Sequence, residues 1–216
     1  DELHDPFIQG SGYVIPDNYN EVLNLSEDGV MGYVDIPKID VSIPIYHGTS
    51  EEILQKGAGH LEASSLPVGG TDTHSVISAH RGLPSAKLFT DLDELETGDV
   101  FYIHVLDEIL AYQVDQINTV DPDDLDLLRV VNGRDLVTLL TCTPYAVNTH
   151  RLLVRGTRIP YEEAKEVQEK AETGGNTISV WLREYFAAIF ICVILLITII
   201  LIMKPWRKKK KGKRKR

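Results

Sequence analysis

The stretch Thr138-Leu139-Leu140-Thr141-Cys142-Thr143-Pro144-Tyr145-Ala146-Val147-Asn148-Thr149-His150-Arg151 decides how this chain is read. Val137 to Leu140 is apolar and β-branched, the composition of a strand buried on both faces. Pro144 cannot donate to a sheet ladder, so the strand ends just past Cys142. That places the thiol at a strand end, where a rigid scaffold presents a side chain at a loop mouth. A second strand, Leu152-Leu153-Val154-Arg155-Gly156-Thr157-Arg158-Ile159, starts at once and can carry Arg151 back beside the thiol. A cation in that position stabilises the thiolate, which is the reactive form. A lone cysteine is ordinarily a small core hydrophobe. The Thr-Leu-Leu-Thr-Cys frame, with an arginine nine positions on, points instead to a nucleophile.

Working outward, the chain before this stretch is a series of short strands. Met31 to Asp40 alternates apolar and polar side chains, and Val41 to Gly48 follows as its neighbour, with prolines marking bends. Ser50 is an N-cap candidate followed by acids, which predicts a short helix to Lys56. Gly59 to Leu61 and Ser75 to Ala79 read as further strands, and Ala86 to Leu95 has helical spacing. Val100 to Val105 and Ile109 to Val120 form a hairpin about Asp107-Glu108. Strands of this length between turn residues predict a mainly β domain, a closed barrel or a sandwich. There is no internal repeat and no glycine loop suited to cradling a phosphate.

Tyr161 to Ala171 is made of strong helix formers, and Gly174-Gly175 is expected to end that helix in a linker. Phe186 to Met203 is then eighteen residues without a charge. At 1.5 Å per residue it covers about 27 Å, close to the hydrocarbon core of a bilayer. Trp181, Tyr185 and Trp206 flank it as interfacial aromatics do. Ten of the 22 Lys and Arg lie in 204–216, which has no acid, leaving 12 bases against 32 acids before it. The positive flank predicts a cytoplasmic tail and an external domain. The acidic remainder excludes nucleic-acid binding through a basic surface. The expected divisions are therefore 1–20, an amino-terminal segment; 21–160, the barrel; 161–180, helix and linker; 181–203, transmembrane helix; 204–216, basic tail. Cys192 lies in the apolar run, so no bridge to Cys142 is expected. The start at Asp1 without Met suggests a removed signal segment.

A reactive thiol needs a proton partner, and seven histidines compete: His4, His47, His60, His74, His80, His104 and His150. His80, in Ser78-Ala79-His80-Arg81-Gly82, has the best setting, at the end of an apolar strand where the backbone turns. His104 falls inside an alternating strand. His150 abuts Arg151, and adjacent strand residues point to opposite faces, so the two cannot both face the thiol.

The Cys142 frame resembles the sortase family, whose cysteine stands in a Thr-Leu-x-Thr-Cys motif with an arginine on the next strand. The continuation Thr-Pro-Tyr-x-x-Asn-Thr-His-Arg-Leu resembles more particularly the class C, pilus-assembling sortases, which usually carry Gly where this chain has Ala146. The resemblance spans about 1–159 and the membrane tail. It implies a closed sortase barrel of about eight strands, with catalytic roles for Cys142, His80 and Arg151. Asp5-Pro6-Phe7 resembles the lid of that class; Asp5 can pair with Arg151, Phe7 can lie on the thiol, and Pro6 limits the backbone between them. The implied reaction cleaves a Leu-Pro-x-Thr-Gly-like sorting signal between Thr and Gly and joins it to a lysine of a pilin subunit, without cofactor or metal. The implied partners are pilins and a membrane of a Gram-positive-type bacterium. A housekeeping sortase that anchors proteins to the cell wall, another membrane-bound cysteine peptidase, and a non-enzymatic binding barrel remain as alternatives.

Overall fold

A computed structural model describes residues 17–24 and 28–212, with the side chains of 172, 174–184 and 202–212 left out of the description. Eight strands close into a barrel: β1 (Val30–Ile36), β2 (Val41–His47), β3 (Ala58–His60), β4 (Thr73–Ser78), β5 (Val100–Val105), β6 (Glu108–Val120), β7 (Asp135–Thr143) and β8 (His150–Ile159). Around the ring they run β1-β2-β3-β4-β7-β8-β6-β5. The β2–β3 and β4–β7 pairs are parallel and the others antiparallel. A closed ring leaves no unpaired edge.

The interior is filled by alternate residues of every long strand, among them Val34, Ile45, Ile77, Phe101, Ile103, Leu110, Val137, Leu139 and Val154. Gly156 of β8 gives the space for this packing: a Cβ there would fall 2.6 Å from the Phe101 ring. On the outward face of β4, β7 and β8 a second apolar cluster forms from Leu61, Val76, Leu128, Leu140 and Leu153. It explains why β7 reads as continuously apolar: both of its faces are covered. Beside it, Asp115 is the extra residue where the β6 register shifts, and it takes both Arg155 and Arg134.

The predicted helix at Ser50 to Lys56 is present as α1 (Glu51–Leu54), with Ser50 as its N-cap. The one predicted over Ala86 to Leu95 is not: only Leu92–Glu94 forms a 3-10 turn. Here the apolar spacing serves tertiary packing, since Leu88, Phe89, Leu92 and Leu95 all plug into the barrel core.

Contacts divide the chain into two units at Gln168/Glu169. The long helix α2 (Tyr161–Gly212) begins in the first, where Ala164 joins a small outer cluster with Val100, Tyr102 and Ala111. It does not stop at Gly174-Gly175 as expected. Each glycine costs a helix only about 1 kcal/mol, which the helix formers around the pair outweigh. In the second unit every described residue from Tyr185 to Leu201 is exposed, most of them large and apolar. Among the described residues, no helix is long and apolar enough to cross a membrane.

Candidate active site

Three neighbouring strands bring the sequence-predicted site residues into one row. Cys142 of β7 stands opposite Arg151 of β8 in the antiparallel ladder. On its other side, β4 and β7 run parallel in register to Ser78 beside Leu140. The pairing continues past the strand: Ala79 N donates to Leu140 O at 3.2 Å, and Thr141 Oγ1 donates to Ala79 O at 2.7 Å. One step beyond, Arg81 donates to Thr143 Oγ1 at 3.2 Å. His80, between Ala79 and Arg81, therefore lies alongside Cys142. Side chains directly across a ladder share a face, and this is the outward face that carries Leu140 and Leu153. His80, Cys142 and Arg151 thus form the row next to that apolar cluster, at the end of the strands.

Burial differs along the row. Cys142 and Arg151 are buried, at 9% and 6% exposure, whereas the His80 side chain is 22% exposed. Arg151 donates to the carbonyls of Asn148 and His150, at 3.2 and 3.1 Å, which fixes its guanidinium against the loop that follows Cys142. In that loop Ala146 and Asn148 have φ of 62° and 61°. The left-handed conformation at Ala146 is the physical reason a glycine would suit this position. Cys142 is a thiol and makes no disulfide.

Two residues that sequence reasoning passed over hold the row together. The Arg81 side chain is largely buried: it pairs with Asp93, donates to Thr90 O at 3.1 Å, and lies 5.9 Å from the centre of the Tyr145 ring. It ties the turn after His80 to the strand end that carries the thiol. Glu51 of α1 reaches His80, its Oε1 lying 3.3 Å from His80 Nε2. The Ser50-Glu51-Glu52 signature announced the helix, but nothing local in the sequence says that α1 rests beside the end of β4.

The other described histidines lie elsewhere. His60 and His74 are buried, each with both ring nitrogens in hydrogen bonds. His47 bonds the carbonyls of Val22 and Gly29. His104 faces Asp35 at 3.9 Å. His150 stands opposite Thr143, on the other face from Cys142, and lies 3.4 Å from Asp121. Asp5, Pro6 and Phe7 lie outside the described residues. Among the described residues no group of three or more His, Cys, Asp or Glu is placed to hold a metal ion.

A closed eight-stranded barrel that sets a cysteine beside a histidine and opposite an arginine defines a class of cysteine enzymes. The Sortase domain model matches residues 34–159. Sortase A of Bacillus anthracis is 28% identical over 158 residues, 72% of this chain and 73% of that protein. Among solved structures, Streptococcus pneumoniae sortase C is 57% identical with a TM-score of 0.68, covering 74% of this chain and 80% of that one. Sortase C-1 of Actinomyces oris is 49% identical, also at 0.68, covering 73% and 87%. The chain belongs to the sortase family, the cysteine transpeptidases.

Proposed function

We propose that this chain is a pilus-assembling sortase in which Cys142, His80 and Arg151 carry the reaction. The observation that bears most weight is the row itself: Cys142, His80 and Arg151 side by side on β7, just past β4 and on β8. Likeness to sortases C studied for pilin substrate specificity supports the choice of substrate. The Cys142 thiolate attacks the Thr–Gly carbonyl carbon of a sorting signal, and Arg151 offers its charge to the developing oxyanion or orients the peptide. As the C–N bond breaks, His80 gives its proton to the leaving glycine amine, and the threonine acyl group stays on sulfur as a thioester. A lysine amine of the next pilin then attacks that thioester. The isopeptide bond forms, the thiolate leaves, and the amine's proton returns to His80.

The apolar run Phe186 to Met203 anchors the enzyme in this reading. Side chains exposed all round from Tyr185 to Leu201 suit lipid, and the basic residues from Lys204 onward hold the cytoplasmic side. The catalytic domain, 21–160, then works outside the cell with Asp5-Pro6-Phe7 as its lid. The test is incubation with a pilin that bears a Leu-Pro-x-Thr-Gly signal and an acceptor lysine, read as a mass ladder on a denaturing gel. A ladder is expected. Cleavage without joining, even with acceptor in excess, would make the protein a hydrolase instead.

A further inference from the structure

We infer that Glu51 is a positioning residue for His80, holding its ring from α1. The inference rests on the reading of His80 as proton donor to the leaving amine. Glu51 stands in the first turn of α1, directly after Ser50, whose hydroxyl accepts from Ile53 N. Its Oε1 lies 3.3 Å from His80 Nε2 and accepts from Gln55 Nε2 at 3.0 Å. Gln55, one turn on, thus braces the carboxylate from within the same stretch of chain. The hydrogen bond from Gln55 is the main reason the Glu51 carboxyl is held below its ordinary range, and the His80 charge adds to it against the opposing effect of burial. This favours the ionised carboxylate.

The helix that carries Glu51 is seated through Gly59 of β3. A Cβ on Gly59 would fall 2.2 Å from Gly48 O and 3.3 Å from Ile53 Cγ2, so only glycine lets these segments approach. Gly59 pairs directly with Ser78, two residues before His80. The seat of Glu51 and the backbone that presents His80 are thus joined through one antiparallel pair.

The chemistry gives this contact a purpose. Acyl transfer needs the ring protonated while the thiol is ionised. Of the groups around the ring, Cys142 on β7 and Arg151 on β8 share its row, Arg81 follows it in the chain, and Glu51 faces it from α1. Among these groups Glu51 is the carboxylate within hydrogen-bond reach of the ring. The contact lies partly in water, so its effect is moderate.

The experiment compares Glu51→Gln with Glu52→Gln. The second removes the same charge one residue along, from a carboxylate that pairs with Lys56 and does not touch His80. Glu51→Gln is expected to lower kcat for sorting-signal cleavage by about threefold to tenfold with KM unchanged. It should also change the pH profile of activity, because it removes the carboxylate that touches the ring. Iodoacetamide alkylation of Cys142 across pH, in the full chain without any pilin, reports the thiolate–imidazolium pair independently. Its profile should change in Glu51→Gln and not in Glu52→Gln. Superimposed Glu51→Gln and wild-type profiles would overturn the inference, as would an equal shift in Glu52→Gln, which would reduce the effect to bulk charge. His80→Ala measured alongside separates the two levels. If it abolishes turnover while Glu51→Gln matches wild type, only the role of Glu51 falls. If it retains turnover, the assignment of His80 falls, and that of Glu51 with it.

Discussion

His60 ends β3 and His80 follows the adjoining β4, and the barrel treats them in opposite ways. His60, which ends β3 and pairs with Ile77 of β4, has no exposure. Its Nε2 lies 2.9 Å from Ser65 O, an acceptor, so that nitrogen carries the hydrogen. Nδ1 then accepts from the Tyr19 hydroxyl at 2.9 Å, while Tyr19 itself accepts from Gly48 N at 3.0 Å and stacks on the imidazole. Every polar atom is committed to a neutral ring, and burial pushes the pKa down to about 4. His80, just past β4, is at the rim with a carboxylate beside it. A sealed histidine with complete hydrogen bonds is structural. One at the rim, facing a charge and a thiol, can exchange a proton during a reaction.

The sharpest way to break this comparison is to remove the side chains of the row. Cys142→Ala, His80→Ala and Arg151→Ala should each lower pilin joining by at least about 10³-fold. Thermal unfolding should stay close to wild type in each. Residues that act as a unit are not additive, so the Cys142/His80 double variant should be scarcely worse than either single one. Near-normal turnover in His80→Ala would erase the distinction between rim and interior.

The next effect belongs to stability. The His60 pKa is depressed in the fold, so between about pH 6.5 and about 4 the unfolded chain binds a proton that the native chain does not. Stability therefore rises with pH through this window and is lost as pH falls, by about 3 kcal/mol in total. His74, also lowered by burial, adds in the same direction. Urea titrations at several pH values should show this slope, and His60→Gln should flatten it while cleavage per folded molecule persists. An unchanged slope would mean that other groups carry the acid sensitivity.

The smallest effect concerns the proposed lid. Asp5→Ala combined with Phe7→Ala should speed alkylation of Cys142 by about tenfold, the population shift that a closed-state bias of ~1.4 kcal/mol produces. Equal rates in the double variant and wild type would leave the amino-terminal segment with no hold on the site.

The sequence was most readable where one interaction dominates. The β5–β6 hairpin follows the reading closely: Val100–Val105 is as expected, and β6 begins one residue before Ile109. The β7–β8 register that pairs Cys142 with Arg151 was legible because Pro144 fixes where the strand must end. Elsewhere local pattern and tertiary packing compete. Over Ala86 to Leu95 the helical spacing is real, yet the core takes those side chains from an irregular backbone. The position of His80 was accessible from context, because a strand end is a local property. Glu51 was not, since its meeting with His80 depends on how β3 and β4 pair. Arg81 hid for the same reason: Asp93, Thr90, Thr143 and Tyr145 gather around it only in three dimensions.

The parallel pairing of β4 with β7 has a further consequence for the life of the chain before it works. The contact that joins Thr141 to Ala79 spans 62 residues, and the hairpin of β5 and β6 is made in between. Parallel strands so distant in sequence are slow to meet, because the intervening loop must be closed before the contact rewards it. Cys142 therefore has no His80 at its side until β4 and β7 have met. Under the proposed mechanism the thiol gains its proton partner only once these two strands have paired.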